Sequence, residues 1–530
     1  MQDTQPVLHA GRHQSLIPPA PAPSPIRTIP VRPTRWQIMK LPLHPLLLTC
    51  FLLLALPPAV QANDDDTRFL LDATRQRMER EQRGGWLPDT PSVEGRRIVI
   101  EGQEYRVGES ADELALGIYY AINFQQWHKV EEFLSKYRLL AGHQPALVLL
   151  AEGLVARARG DIGTALDRLE AAEQAAPGDV RIQLELARAY AEDYQNREAI
   201  RQFDLAEQGD IPDATRQVIR GNLDAIAQRS RWHGSFSIGR GYNNNINQGN
   251  GAEQCIAGIL DICFVTEALP KPIGSFFTGY QATLQRSVPL TGHHNLLLRA
   301  LAYGAQYDSK DHQNVYLQDN SDNTTLLQAG YNFKNAATEF TLSPTFEHYY
   351  RDGHTNYTAP GLDLSLTRDL GPRWSLHAQG STKRYHYSDT EKQYFADYTL
   401  ATGGFGISHN FSPLASVYAG MDWTRRKYDW DASSSREQAV RISAFKLFES
   451  GIYVNAMAIY RDSRYDATTF LSDSPRHDTQ KMLIAAVGAP RWTIGGFYPE
   501  IRFKRVINRS NLLYYGYRQS EVSLNFKYNF

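Results

Sequence analysis

Few residue types in this chain could do chemistry, and they are scattered. Of three cysteines, Cys50 falls in an apolar run near the start, leaving Cys255 and Cys263 as a pair eight positions apart. In an oxidising compartment two thiols at that spacing close a local disulfide, whereas a metal site would need further ligands that the segment does not supply. His293 and His294 are adjacent, and His348 and His354 flank Asp352. An enzyme could use such groups as acid, base or ligand. No Gly-x-Ser-x-Gly elbow, no His/Glu pair at helical metal spacing and no phosphate-cradling glycine loop accompanies them. The sequence thus predicts no active site, no cofactor and no metal. Its 56 basic and 57 acidic residues leave a net charge of −1, without the basic footprint a nucleic-acid partner needs.

The elements that would position these residues fall into two contrasting halves. The chain has 530 residues, 42% of them hydrophobic, with a mean hydropathy of −0.44, which suffices for two or more packed units. Of 29 tyrosines, 6 precede Arg231 and 23 follow it. Asn63–Arg231 carries 22 basic and 30 acidic residues, and Trp232–Phe530 carries 29 and 26. Ahead of both, Met39-Lys40, the run Leu46–Leu56 and the ending Ala59-Val60-Gln61-Ala62 have the layout of a secretory signal. The expected organisation is a Pro-rich leader or mis-called start at 1–38, a signal peptide at 39–62, an α-helical domain at 63–230 and a β-barrel at 231–530.

The helical half reads at a period of 3.6, and two stretches align at a spacing of 34 residues. Gly153, Ala165, Leu169, Ala172 and Pro177 fall at tetratricopeptide-repeat offsets. Leu186, Ala187, Tyr190, Ala199, Phe203 and Ala206 repeat the pattern. Leu114–Leu140 reads as a degenerate repeat before them. Such stacks expose a concave face that binds protein segments, and Arg157, Arg181 and Arg188 fall where they would line it.

After Arg231 the period becomes 2. Val522, Leu524, Phe526, Tyr528 and Phe530 alternate with Glu521, Ser523, Asn525, Lys527 and Asn529. Fourteen such segments run from 232–242 to 518–530, two of them near 337–349 and 358–368. Short turns alternate with long polar loops, the longest being Asn243–Gly274, which holds both cysteines. This predicts a 14-stranded transmembrane antiparallel β-barrel in outer-membrane lipid. With an even strand count both ends lie on the short-turn side, so the helical half is expected in the periplasm. Pro344 and Pro499 inside strands argue for a soluble sandwich instead, but the terminal aromatic alternation and the export signal argue against one. No plug or energy-coupling box is read ahead of the barrel; a ring of this size could enclose a polar lumen wide enough for an extended chain, and the sequence does not say whether that lumen is open, plugged or laterally gated.

The run Trp232–Gln248 opens the barrel with Gly239, Gly241, Tyr242, Asn243, Asn245 and Asn247 in a Gly-x-Gly-Tyr-Asn-x-Asn-x-Asn pattern. Together with the repeats before it and the closing Phe526, Tyr528 and Phe530, it resembles the Slam family, the surface lipoprotein assembly modulators, over essentially all of 63–530. The resemblance implies an outer-membrane translocon. Its barrel would carry client surface lipoproteins, or secreted haem- or iron-binding proteins, to the cell surface, while the repeats contact the client or a periplasmic chaperone. The closing aromatics would be read by the barrel assembly machinery. A polysaccharide export porin with tetratricopeptide repeats is the alternative, though such porins carry longer arrays. A passive porin or nutrient receptor is a third class.

Overall fold

The computed structural model describes residues 64–82, 97–100, 103–259, 262–308, 321–469 and 472–530. The expected leader and signal lie outside the described residues. The helices are α1 (Asp64–Gln82), α2 (Ala111–Asn123), α3 (Trp127–Tyr137), α4 (Pro145–Ala158), α5 (Ile162–Ala175), α6 (Val180–Glu192), α7 (Asn196–Glu207) and α8 (Asp213–Arg229). A small ribbon of β1 (Arg97–Ile100) and β2 (Gln103–Arg106) precedes α2.

Caps written in the sequence start the helices. Ser110 Oγ accepts the Glu113 N–H while the Glu113 carboxylate accepts the Ser110 N–H at 3.2 Å, a reciprocal capping box at α2. Asp161 and Asp179 cap α5 and α6 in the same sense. The positions that recur every 34 residues are those that touch. Ala165, Leu169, Leu186, Ala187, Ala199 and Phe203 are all fully buried. A Cβ on Gly153 would lie 2.8 Å from the Leu169 side chain and 3.2 Å from the Ala165 carbonyl, so only glycine lets α4 and α5 approach there. The expected degenerate repeat forms α2 and α3, with Ile118, Phe133 and Tyr137 continuing the same core.

From His233 the chain builds one closed ring. Its first strand is β3 (His233–Asn243), and β4 (Glu253–Ile259) and β5 (Ile262–Ala268) form a separate ribbon in the long connection that follows. The ring continues with β6 (Ser275–Thr291), β7 (His294–Tyr307), β8 (Asp322–Lys334), β9 (Thr338–Arg351), β10 (His354–Asp369), β11 (Trp374–Tyr387) and β12 (Tyr398–Ser412). It is completed by β13 (Ala415–Tyr428), β14 (Ser435–Leu447), β15 (Tyr453–Tyr465), β16 (His477–Gly488), β17 (Tyr498–Ser510) and β18 (Tyr517–Asn529). These are the fourteen expected segments, all antiparallel, and β18 pairs back onto β3 from Asn529↔Ser235 to Glu521↔Asn243. Closure excludes the sandwich. The outer face is apolar, with Val522, Leu524, Phe526 and Phe530 each 44–52% exposed, while Ser523 between them points inward and is 6% exposed. Among the described residues no helix is long and apolar enough to cross a membrane, and the ring supplies the crossing in strands.

The prolines find two different accommodations. Pro499 stands opposite Phe526 of β18, and towards β16 its carbonyl accepts the Ala489 N–H at 3.0 Å, so only the return bond from its own nitrogen is missing at the strand end. Pro344 stands inside β9, and there the register to β8 skips Ala329/Pro344 and Gly330/Ser343. Pro360 does the same on the other side of this hairpin, where the β10–β11 register skips Ala359/Tyr385 and Pro360/Arg384. One connection departs from expectation. β9 and β10 are longer than the segments 337–349 and 358–368, and they meet in a two-residue turn, Asp352-Gly353, both at positive φ (51° and 80°).

Candidate functional site

The lumen is occupied. α1, expected to belong with the repeats at 63–230, lies inside the ring. Asp65 takes two bonds from Arg461 Nη2, at 2.7 and 2.8 Å. Asp66 accepts from Arg502 at 2.5 Å and from Lys504. Arg68 reaches Asp422 at 3.0 Å, the Thr67 hydroxyl meets that of Tyr303 at 2.9 Å, and Asp72 lies 3.7 Å from Arg441. Between these polar contacts Phe69 and Leu70 are 5% and 4% exposed, packed in a cluster with Leu301, Leu326, Met457, Ile459, Ile484 and Val506. The Arg502 guanidinium lies 5.4 Å from the centre of the Phe69 ring.

The sequence names no plug ahead of the barrel and leaves the state of the lumen open; the structure fills it with α1, and beside the polar wall stands an apolar patch. α1 escapes a sequence reading because its apolar face is short and its charges resemble those of the repeats. The wall carries a legible signal, however. Met457 and Ile459 alternate with outward Ala456 and Ala458, and Met482-Leu483-Ile484-Ala485-Ala486-Val487 is apolar on both faces. A strand facing lipid on one side and water on the other has no need of that. Inward apolar side chains call for an apolar occupant.

At the long-loop end the first-strand motif ties the first loop to the rim of the ring. Gly241 faces inward, where a Cβ would lie 2.5 Å from the Phe277 ring. Asn243 donates to Glu521 at 3.1 Å and accepts the Asn245 N–H at 3.0 Å. Asn245 donates to the Gly249 and Arg518 carbonyls at 2.7 and 2.8 Å. Asn247 donates to the Lys271 carbonyl and accepts the Ile273 N–H, both at 2.9 Å. Gly239 lies against the Asn525 side chain, and Tyr242 points outward against Phe276, ring centres 5.1 Å apart. Short amides thus knit the first loop to itself and to β18. Cys255 and Cys263 are joined in a disulfide between β4 and β5.

A family model for the surface lipoprotein assembly modifier matches residues 232–530, and a model for the N-terminal repeats of the same family matches 100–203. The chain belongs to the surface lipoprotein assembly modifier family. It is 27% identical to the hemophilin secretion modulator of Acinetobacter baumannii over 511 residues, covering 91% of this chain and 99% of that one. It is 24% identical to a surface lipoprotein assembly modifier of Moraxella catarrhalis, covering 73% and 74%. Among solved structures, a loop-deletion mutant of OmpT, an outer membrane protein of Vibrio cholerae, aligns at 8% identity and a TM-score of 0.32, covering 57% of this chain and 98% of that one. The family is one of assembly and secretion factors. Among the described residues no three His, Cys, Asp or Glu side chains gather as a metal set.

The repeats dock on the short-turn end of the ring. Asp193, in the turn between α6 and α7, holds His293 Nε2 at 2.6 Å and accepts the Ala336 N–H at 3.1 Å, so one carboxylate grips two barrel turns. Lys334 lies 4.4 Å from the centre of the Tyr194 ring, and Arg286 donates to the Ser230 carbonyl at 3.0 Å. His294 faces the Tyr331 hydroxyl at 2.6 Å. His354 binds Glu391 at 2.7 Å and His348 binds Thr355 at 3.1 Å, each in a separate contact.

The three arginines expected on the concave face come together on one carboxylate. Glu185 lies 2.8 Å from Arg157, 3.3 Å from Arg181 and 3.0 Å from Arg188. Arg157 also binds Glu192 at 2.5 Å, and Arg181 stacks 5.6 Å from the centre of the Tyr119 ring. Burial alone would push the Arg157 guanidinium down, but Glu192 and Glu185 outweigh it and hold its pKa above the ordinary value. These groups brace α4, α6 and the neighbouring α2, and much of their charge is already neutralised.

Proposed function

We propose that this chain is an outer-membrane conduit that delivers a client protein from the periplasm to the cell surface, the client being a surface lipoprotein or a hemophilin-like secreted haem- or iron-binding protein. In this reading the signal at 39–62 is removed, the repeats stand in the periplasm, and outer-membrane lipid surrounds the ring. The observation that carries it is the Asp193 joint, which seats a protein-binding array directly at one mouth of a barrel. The 91% coverage by a hemophilin secretion modulator supports a client of that kind. Periplasmic chaperones would hand the client to the array.

Deleting the gene and treating intact cells with protease tests the reading. The expected result is loss of a surface-exposed or secreted protein, restored by the gene in trans. Unchanged surface proteins together with loss of a surface polysaccharide would replace it with polysaccharide export. Phe526, Tyr528 and Phe530 are proposed as the signal read by the assembly machinery, and Phe530→Ser should lower the amount of heat-modifiable, folded barrel in the membrane. Normal amounts would remove that role.

A further inference from the structure

We infer that the lumen is a binding site for an acidic amphipathic polypeptide segment, two carboxylates followed one helical turn later by two large apolar side chains, and that α1 is its resident occupant. The second occupant, a client segment of the same pattern, rests on the transport reading above. The seat has two adjoining parts. Arg461 on β15 with Arg502 and Lys504 on β17 receive Asp65 and Asp66. Beside them the inward Met457, Ile459, Ile484 and Val506 receive Phe69 and Leu70. Neither part suits an empty, water-filled pore. Withdrawn from α1, Arg461 would keep Glu437 at 3.6 Å and Lys504 its cross-strand neighbour Glu521, but the three cations would lose the carboxylates of Asp65 and Asp66 at low solvent access, and four large apolar side chains would face water.

Position favours exchange. Arg461 stands eight residues into β15 and Arg502 four residues into β17 from the short-turn end. At about 3.3 Å per residue, the seat lies roughly 13–26 Å along the strands from that rim. A segment released by the repeats at the short-turn end can reach it without crossing the long-loop end. Displacement of α1 would then couple arrival of a client to opening of the ring.

The test uses the purified full chain in planar bilayers and nanodiscs, with a fluorescent synthetic peptide of residues 63–82 as probe. In the Asp65→Asn/Asp66→Asn chain, conductance should rise at least tenfold over the unaltered chain, the peptide should bind at least tenfold more tightly, and its addition should close the pore. The same peptide with lysine in place of both aspartates should require at least tenfold higher concentration. Asp65→Arg should also open the pore, and adding Arg461→Asp should close it again, with heat-modifiable mobility confirming a folded barrel in each case. Equal binding of the two peptides, conductance unmoved in every variant, or a folded charge-exchange chain that stays open would overturn the inference. Peptide binding and gating as stated, with no client exported in cells, would leave the site standing and remove the transport reading. Export that proceeds while the opened chain ignores the peptide would do the reverse.

Discussion

Two walls of the same lumen balance buried charge from different sources. Across β9–β11 the wall neutralises itself. Glu347 meets Lys383 at 2.8 Å with both side chains under 10% exposed, Tyr357 donates to Glu347 at 2.9 Å, and Gln328 of the neighbouring β8 donates to Asp363 at 2.6 Å. Stacked tyrosines complete it, with Tyr349 and Tyr357 at 5.1 Å and Tyr385 and Tyr398 at 4.4 Å between ring centres. Across β13–β17 the wall pairs Arg441 with Asp422 at 3.1 Å and Arg461 with Glu437 at 3.6 Å, and α1 adds Asp65 and Asp66 as further partners for Arg461, Arg502 and Lys504. The ladders invert this order. The β14–β15, β15–β16 and β16–β17 registers run without a gap, whereas those flanking the β9–β10 hairpin skip at Pro344 and Pro360. One wall is complete in its side chains and interrupted in its backbone. The other is continuous in its backbone and draws part of its charge balance from α1.

Three substitutions probe that contrast. Glu347→Ala leaves Lys383 buried without its carboxylate and should lower barrel stability by about 3–5 kcal/mol, read as a lower temperature for the heat-modifiable gel shift. A shift at the unaltered temperature would show that this wall does not hold itself together. Phe69→Ala should weaken the seat of α1 by about 3 kcal/mol while leaving the barrel transition in place, so that limited proteolysis cuts within 64–82 of an intact ring. A barrel transition lowered as far as in Glu347→Ala would erase the distinction between the walls. Pro344→Val returns one N–H to the β8–β9 seam and should add about 0.5–1.5 kcal/mol, with slower amide exchange at Ala329 and Gly330. Unchanged exchange would place the cause of the gap elsewhere.

The ring was legible because its rule is local: period-2 alternation and turn lengths name fourteen strands without knowledge of their partners. The repeats were legible for a similar reason, since Ala165 and Ala199 or Leu169 and Phe203 recur at one spacing. The gathering of arginines was partly readable, because Arg181, Glu185 and Arg188 stand at i, i+4 and i+7 of one helix. Arg157 was not, as its carboxylates lie a repeat away. The asparagines of the first strand were visible as a pattern, but their carbonyl and amide partners sit in irregular chain that no periodicity marks. α1 was hidden for the plainest reason: Asp65 and Arg461 are 396 positions apart, and nothing in a 19-residue helix announces which wall it will meet.

The seam between β18 and β3 carries a consequence for biogenesis. Gly234 and Phe530 exchange backbone bonds at 2.8 and 3.1 Å, so the cylinder is joined by the two strands farthest apart along the polypeptide. A chain short of its final strand is not a slightly weaker barrel; it presents two bare rows of amides and carbonyls to hydrocarbon, where nothing can solvate them. Half-built forms therefore cannot rest in the bilayer unattended, and some escort has to shield both raw edges until the last aromatic residue is in hand.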